Sequence, residues 1–503
     1  MAAARTVGVA VLAAALVLGA SGCGGDVAAP PPPPGSFAGP DLHPVTIGAG
    51  RVPGALVSAV SFETVDLRLK ALSSLAARIV YTSTSGITGQ RTKVSGSVFV
   101  PKGKVPGGGW PMVVFAHPST GIHADCAPSL FPQLLGSADY VIELVKAGYA
   151  VAVPDYQGLG PAGGDHPYGD AVTVGNNVID AARALHRLVP QTSTRWLAIG
   201  RSQGGQAAWA ADELDGRYGT GLTLVGAVSL TPATNLTGLA TGAQSGSLTR
   251  DQASMLPPLL TALSKENPVL NLDDYRDGWA KQSWDVLTSC GAATAAERDV
   301  ALVKLSGDDL RPNSPQAAST LTEMLVRRSL PKEPADAPML VVYAGKDTYF
   351  PQSWTDKALA SACAMGDSID IRLQPEAAHR DVDGTAALSW IKDRFAGQPA
   401  DNSCADFVPV PDSGIPDQSA PATDASATPP PPAPVYVPPP PAPAYVPLPA
   451  YVPPYMPPPV YNPAPVYVPP PVYNPPPVYN PPPVYKPYTQ PAPYAPYSPG
   501  GRR

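Results

Sequence analysis

The chain has 503 residues, 67 of them proline and only 15% charged, so part of it is not ordinary globular sequence. Its formal net charge of −6 comes without basic clusters, which argues against nucleic acid or an anionic membrane surface as a partner held by charge. The prolines gather at the two ends, and residues 41–410 have the composition of a domain large enough to bury a substantial core.

Arg5, an apolar run from Val7 to Leu18 and the small residues Gly19 to Gly22 precede Cys23. Residues 1–22 form an export signal too short to span a membrane permanently. Leu18 to Cys23 is similar to a lipoprotein signal, in which the thiol is acylated and anchors the mature N-terminus to a membrane. The alternative is an ordinary secretory signal that removes Cys23. The chain has five cysteines, and taking away Cys23 leaves Cys126, Cys290, Cys363 and Cys404. Four cysteines allow three connectivities, and an oxidising compartment favours two bridges over free thiols or a metal site. Residues 23–40 carry the lipidated cysteine and a proline-rich spacer.

From Arg78 the pattern becomes regular. Arg78 to Thr82 and Lys93 to Val100 are β-rich runs around a hairpin signal, an antiparallel edge. Strands are expected at Pro111 to Ala116, Tyr149 to Pro154, Trp196 to Ile199, Leu224 to Leu230, Met339 to Ala344 and Asp370 to Leu373. Helices are expected at Ser137 to Lys146, Val178 to Leu188, Gln206 to Leu214, Trp354 to Ala362 and Thr385 to Phe395. Short, continuously apolar strands alternating with helices imply an α/β fold, a mainly parallel sheet covered on both faces. About a hundred residues, 237–337, separate two consecutive strands and read as helical, which is either a cap over the site or a remote insertion. Beyond residue 410 the chain turns to Pro, Ala and Ser. Tyr461, Tyr467, Tyr473, Tyr479 and Tyr485 then recur every sixth residue in an extended, disordered tail. Tethering, wall penetration and display to cell-wall or protein partners compete there with a plain solvated spacer.

The stretch WLAIGRSQGGQAAWAADEL breaks at Gly200-Arg201-Ser202-Gln203-Gly204 between a buried strand and a helix. Glycines two before and two after leave room for a sharp bend that exposes the Ser202 hydroxyl beside a helix N-terminus. A serine nucleophile requires an imidazole base and a carboxylate to orient it. Of six histidines (His43, His117, His123, His166, His186, His379), only His379 follows the serine, just past the last strand. Asp347 is the first carboxylate after Met339 to Ala344, with Glu376 and Asp381 as competitors. Two backbone N–H groups are needed for the oxyanion. Gln203 supplies one. In the loop after Pro111 to Ala116, Pro118 has no N–H, so Ser119 is the better second donor, with Thr120 behind it. His117, His123, Asp125 and Cys126 resemble a metal set, but their loop already has a role, so neither metal nor cofactor is expected.

WPMVVFAHPSTGIHADCAPS, AGYAVAVPDYQGLG followed by HPYG, LAIGRSQGGQAA and VVYAGKDTYFP together resemble the secretory lipase family of the α/β-hydrolase superfamily. The resemblance covers about residues 60–400. It implies an α/β-hydrolase fold with a helical lid, and hydrolysis of carboxylic esters, often acylglycerols, without a cofactor, on a Ser202-Asp347-His379 triad. It also implies bridges from Cys126 to Cys290 and from Cys363 to Cys404. Arg201 stands where the family often has histidine, and Pro118 where it often has glycine. Both positions are expected to border the acyl pocket. Acyl transfer, peptide hydrolysis on the same triad, and a non-enzymatic surface protein acting through the tail are the competing readings.

Overall fold

A computed structural model describes residues 45–46, 52–290 and 294–410. The export signal, Cys23, the N-terminal spacer and the Tyr/Pro-rich tail lie outside the described residues. The strands are β1 (Val45–Thr46), β2 (Leu56–Ser61), β3 (Ser73–Thr84), β4 (Arg91–Pro101), β5 (Trp110–Ala116), β6 (Ala150–Pro154), β7 (Thr192–Arg201), β8 (Thr223–Leu230), β9 (Met339–Ala344) and β10 (Ile369–Gln374). They form one sheet in the order β1-β2-β3-β4-β6-β5-β7-β8-β9-β10. Every pairing from β6 across to β10 is parallel, and β1 to β4 pair antiparallel, with β4 antiparallel to β6.

The parallel strands are short apolar runs because both their faces are covered. All residues of β6 and of β9 are buried. On one face lie α3 (Ala171–Leu188) and α4 (Gln203–Tyr218), whose Val174, Val178, Ala207 and Ala211 join Met112, Val114, Ala152 and Ala198 of the sheet. On the other lie α2 (Ala138–Lys146) and α12 (Thr385–Phe395), where Val141, Ile142, Trp390 and Ile391 meet Val113, Phe115 and Leu340. The antiparallel edge is wider than the single hairpin expected. It includes β2 and the six-residue helix α1 (Leu67–Leu72), both too short and too exposed to carry a periodic signal.

Between β8 and β9 the chain makes α5 (Thr237–Ser245), α6 (Arg250–Glu266), α7 (Gly278–Gln282), α8 (Trp284–Thr288), α9 (Ala295–Lys304) and α10 (Pro315–Arg328). These helices share a core of their own, with Leu239, Leu256, Leu259, Leu260, Leu321 and Leu325. Ile122, Tyr168 and Phe350, from loops that follow β5, β6 and β9, are part of the same cluster. The helices therefore sit on the loops at the C-terminal ends of the strands, where open α/β sheets bind ligands. A disulfide from Cys126 to Cys290, with Cα atoms 5.5 Å apart, fixes this layer to the loop after β5. A second bridge, Cys363 to Cys404, joins α11 (Gln352–Met365) to the segment after α12.

The return from α10 to β9 is held by carboxylates of α4. Asp212 accepts from the N–H groups of Asp336 (3.1 Å) and Ala337 (2.8 Å), and Glu213 from those of Lys332 (3.0 Å) and Glu333 (3.4 Å). Burial raises Glu213 to about 7. An acid raised in the folded state binds its proton more tightly there than when unfolded, so stability falls as pH rises from the ordinary carboxylate range through about 7. Glu213→Gln, which keeps the acceptor and removes the titration, is expected to flatten that fall. Urea unfolding at pH 5 and pH 8 should show wild type losing on the order of 2–3 kcal/mol relative to the variant over that interval.

Candidate active site

Ser202 joins β7 to α4 with φ 57° and ψ −118°, a conformation that costs a non-glycine residue on the order of 1–3 kcal/mol. Three backbone hydrogen bonds hold it. Its N–H donates to Leu230 O (2.9 Å), and its carbonyl accepts from Gln206 N (3.0 Å) and Ala233 N (3.2 Å). The flanking glycines are required by space. A Cβ on Gly200 would lie 2.1 Å from the carbonyl oxygen of Gly204, and one on Gly204 would lie 1.9 Å from that of Ala116.

His379 lies in the turn after β10 and is buried. Its Nδ1 is 2.7 Å from Asp347 Oδ2, and the side chains are only 8% and 3% exposed. The other Asp347 oxygen accepts from the N–H groups of Tyr349 (2.8 Å) and Phe350 (2.9 Å). A carboxylate acceptor at Nδ1 places the ring proton there and leaves Nε2 with a lone pair. The rings of Tyr349 and Phe350 wall the imidazole at 4.7 and 5.5 Å. Glu376 instead pairs with Lys346 at the surface, and Asp381 is exposed. Among the described residues no hydrogen bond joins Ser202 Oγ to His379. Such contacts are often long without substrate and tighten in the reacting complex.

Arg201 ends β7, directly before Ser202. Its side chain is buried and turns toward the histidine loop, donating from Nη2 to His379 O (2.6 Å) and from Nη1 to Tyr140 Oη (3.0 Å). Tyr140, on α2, stacks on Phe115 at 5.3 Å. Side-chain direction at a strained turn is set by the tertiary neighbours, which the motif itself does not encode.

Gln203 opens α4, where first-turn N–H groups have no acceptor within the helix. The Ser119 N–H also has no hydrogen-bond partner among the described residues. Sequence reasoning missed the groups behind these two donors. His166 Nδ1 donates to Gln157 O (2.8 Å), so its Nε2 accepts from the Gln203 side-chain amide (3.0 Å). Tyr168 Oη lies 2.8 Å from Ser119 Oγ. Burial lowers both His166 and its neighbour His117 to about 4, which keeps the two rings neutral near pH 7. The only signal for this bracket was the HPYG stretch, to which spacing assigned no partner. As for a metal, the one group of possible ligands among the described residues is Asp125, Cys126 and Cys290, and its two sulfurs are joined as a disulfide.

Beside the serine turn is a cavity of about 10 Å³, room for about one water. Ser119, Tyr168 and Gln203 meet Leu236, Met255, Leu259 and Phe350 there. An acyl chain does not fit this space, so entry at this point requires lining side chains to move.

A mainly parallel sheet with its strained serine at a strand-to-helix turn is an α/β-hydrolase fold, and similar solved structures include lipases and esterases. Candida antarctica lipase A in its closed state superposes with a TM-score of 0.58 at 17% identity, covering 74% of this chain and 88% of that one. The rice cell wall degrading esterase LipA from Xanthomonas oryzae gives 0.52 at 20% identity, covering 69% and 100%. At such identities the likeness establishes the fold. The chain belongs to the secretory lipase family, whose profile matches residues 136–403. It is also 25% identical over 377 residues to a probable inactive lipase of Mycobacterium tuberculosis, covering 69% of this chain and 80% of that protein. The family and the two disulfides fit an exported protein, and among the described residues no helix is long and apolar enough to cross a membrane.

Gly204→Ala is expected to destabilise the fold by about 3–5 kcal/mol, because the new methyl group meets rigid backbone rather than a movable side chain. Chemical denaturation of the purified variant measures this, and wild-type stability would show that the turn has slack.

Proposed function

We propose that the protein is an exported, lipid-anchored serine ester hydrolase, a lipase acting on acylglycerols or related carboxylic esters. The observation that carries this reading is the buried His379–Asp347 pair, with the imidazole oriented by a carboxylate that is itself held by two N–H groups. In the reaction His379 Nε2 takes the Ser202 proton as Oγ attacks the ester carbonyl carbon. The N–H groups of Gln203 and Ser119 receive the negative charge that develops on the carbonyl oxygen. The imidazolium, stabilised by Asp347, gives its proton to the departing alcohol, leaving an acyl group on Ser202. Water, deprotonated by His379, then attacks the acyl carbon; the bond to Ser202 Oγ breaks, the imidazolium returns its proton to that oxygen, and the acid is released.

The apolar helical layer over the cavity supports a lipase reading, because moving α6 would present apolar surface to a lipid. The word inactive belongs to the Mycobacterium tuberculosis relative's name. In this chain a serine, a histidine and an aspartate of suitable chemistry are all present, which favours activity. Cys23, acylated, would attach the enzyme to the outer face of the cell membrane, with the spacer between anchor and body.

The test is hydrolysis of p-nitrophenyl esters from short to long acyl chains, below and above substrate solubility. Ser202→Ala and Asp347→Asn are each expected to lower kcat by at least about 10³-fold. Long-chain turnover by wild type should rise when the substrate aggregates. Hydrolysis unchanged in Ser202→Ala would overturn the reading.

A further inference from the structure

The HPYG stretch, residues 166–169, reaches both sides of the candidate oxyanion site. His166 holds the side chain of Gln203, and Tyr168 holds that of Ser119. Its backbone is tied in turn to α4 and to the cap. Gln206 of α4 donates to the carbonyls of Gly169 (3.2 Å) and Arg328 (3.1 Å), and Arg328 Nε donates to Tyr168 O (3.5 Å). The segment is thus fixed relative to the helix that begins at the serine.

The Ser119–Tyr168 hydroxyl pair has two oxygens and two protons, and each hydroxyl has no other side-chain partner among the described residues. One proton lies between the oxygens and the other is left over. If Ser119 donated, the spare proton would be that of Tyr168, which has no acceptor among the described residues. If Tyr168 donates, the spare proton belongs to Ser119, whose own N–H is the candidate oxyanion donor and whose side chain lines the same cavity as Gln203. Developing negative charge on a substrate oxygen selects the second arrangement, because it is the one that supplies that oxygen with a donor. Burial pushes Tyr168 up to about 12, so it keeps its proton across the working pH range.

We propose that Ser119 contributes its hydroxyl as well as its N–H to the oxyanion site, with Tyr168 as the positioning residue that donates to Ser119 Oγ and frees the serine proton. The site then has three donors: the N–H groups of Gln203 and Ser119 and the Ser119 hydroxyl. This rests on the triad reading above and adds a catalytic group to it.

The experiment is steady-state kinetics of the full chain with p-nitrophenyl butyrate, on wild type, Ser202→Ala, Ser119→Ala, Ser119→Thr, Tyr168→Phe and the Ser119→Ala/Tyr168→Phe double variant. Ser119→Ala should lower kcat by about 10- to 100-fold with KM within about twofold, as expected for a donor used only in the transition state. Ser119→Thr, which retains a hydroxyl, should recover most of the loss and guards against a folding defect. Tyr168→Phe should lower kcat by about 3- to 10-fold, and this loss should vanish in the Ser119→Ala background, because the tyrosine acts through that serine. Wild-type kcat in Ser119→Ala, or a Tyr168→Phe loss that persists without the Ser119 hydroxyl, overturns the proposal while leaving the triad standing. Hydrolysis that survives Ser202→Ala removes the triad reading, and this inference with it.

Discussion

The backbone at Ser202 would relax out of its strained conformation if either flank gave way, and much of the surrounding structure serves to prevent that. Strand β7 is central in the sheet, paired with β5 on one side and β8 on the other, so the approach to the turn is fixed. The last residue of β8, Leu230, accepts the Ser202 N–H, and the first turn of α4 takes the serine carbonyl. Where α4 begins, Gly204 runs directly against the end of β5, and no side chain fits between them. The strain at one residue is thus balanced by packing spread over three strands and a helix.

The groups around that fixed point are held by different physical means. Asp347 is held by the N–H groups of the two residues that follow its turn, so its carboxylate has one direction to offer His379. Arg201, beside Ser202, carries a buried cation with no carboxylate partner among the described residues. It spends its hydrogen bonds on the histidine loop and on Tyr140 of α2. Two chain segments nearly 180 residues apart are joined in this way by a residue of the serine turn itself. The Cys126–Cys290 bridge and the shared apolar cluster of Ile122, Tyr168 and Phe350 keep the helical layer close to the loops that follow β5, β6 and β9.

Much of this architecture was legible in the chain because burial on both faces writes a simple pattern. The residues of β5, β6 and β9 are apolar runs bounded by turns, and α12 has the boundaries its periodicity suggested. Candidates for the site came from topology: Asp347 follows a strand end, and His379 is the sole histidine beyond the serine. What the chain did not disclose are contacts whose partners are far apart in sequence. The direction of Arg201 is set by Tyr140 and a carbonyl from the last loop. The pairing of His166 with Gln203, and of Tyr168 with Ser119, depends on how the loop after β6 folds back, and no local periodicity encodes it. The strand β2 and helix α1 escaped for a plainer reason, being half exposed and six residues long.

The central claim is that Ser202 is the nucleophile, activated by the imidazole that Asp347 orients. A fluorophosphonate reacts with an activated serine and leaves a stable phosphonyl adduct, so peptide mass spectrometry of the labelled full chain reads the claim directly. The account predicts a single adduct, on the peptide containing Ser202, formed quickly in wild type and slowly in His379→Ala. An adduct on another residue, or labelling of Ser202 at the same rate without the imidazole, would contradict it.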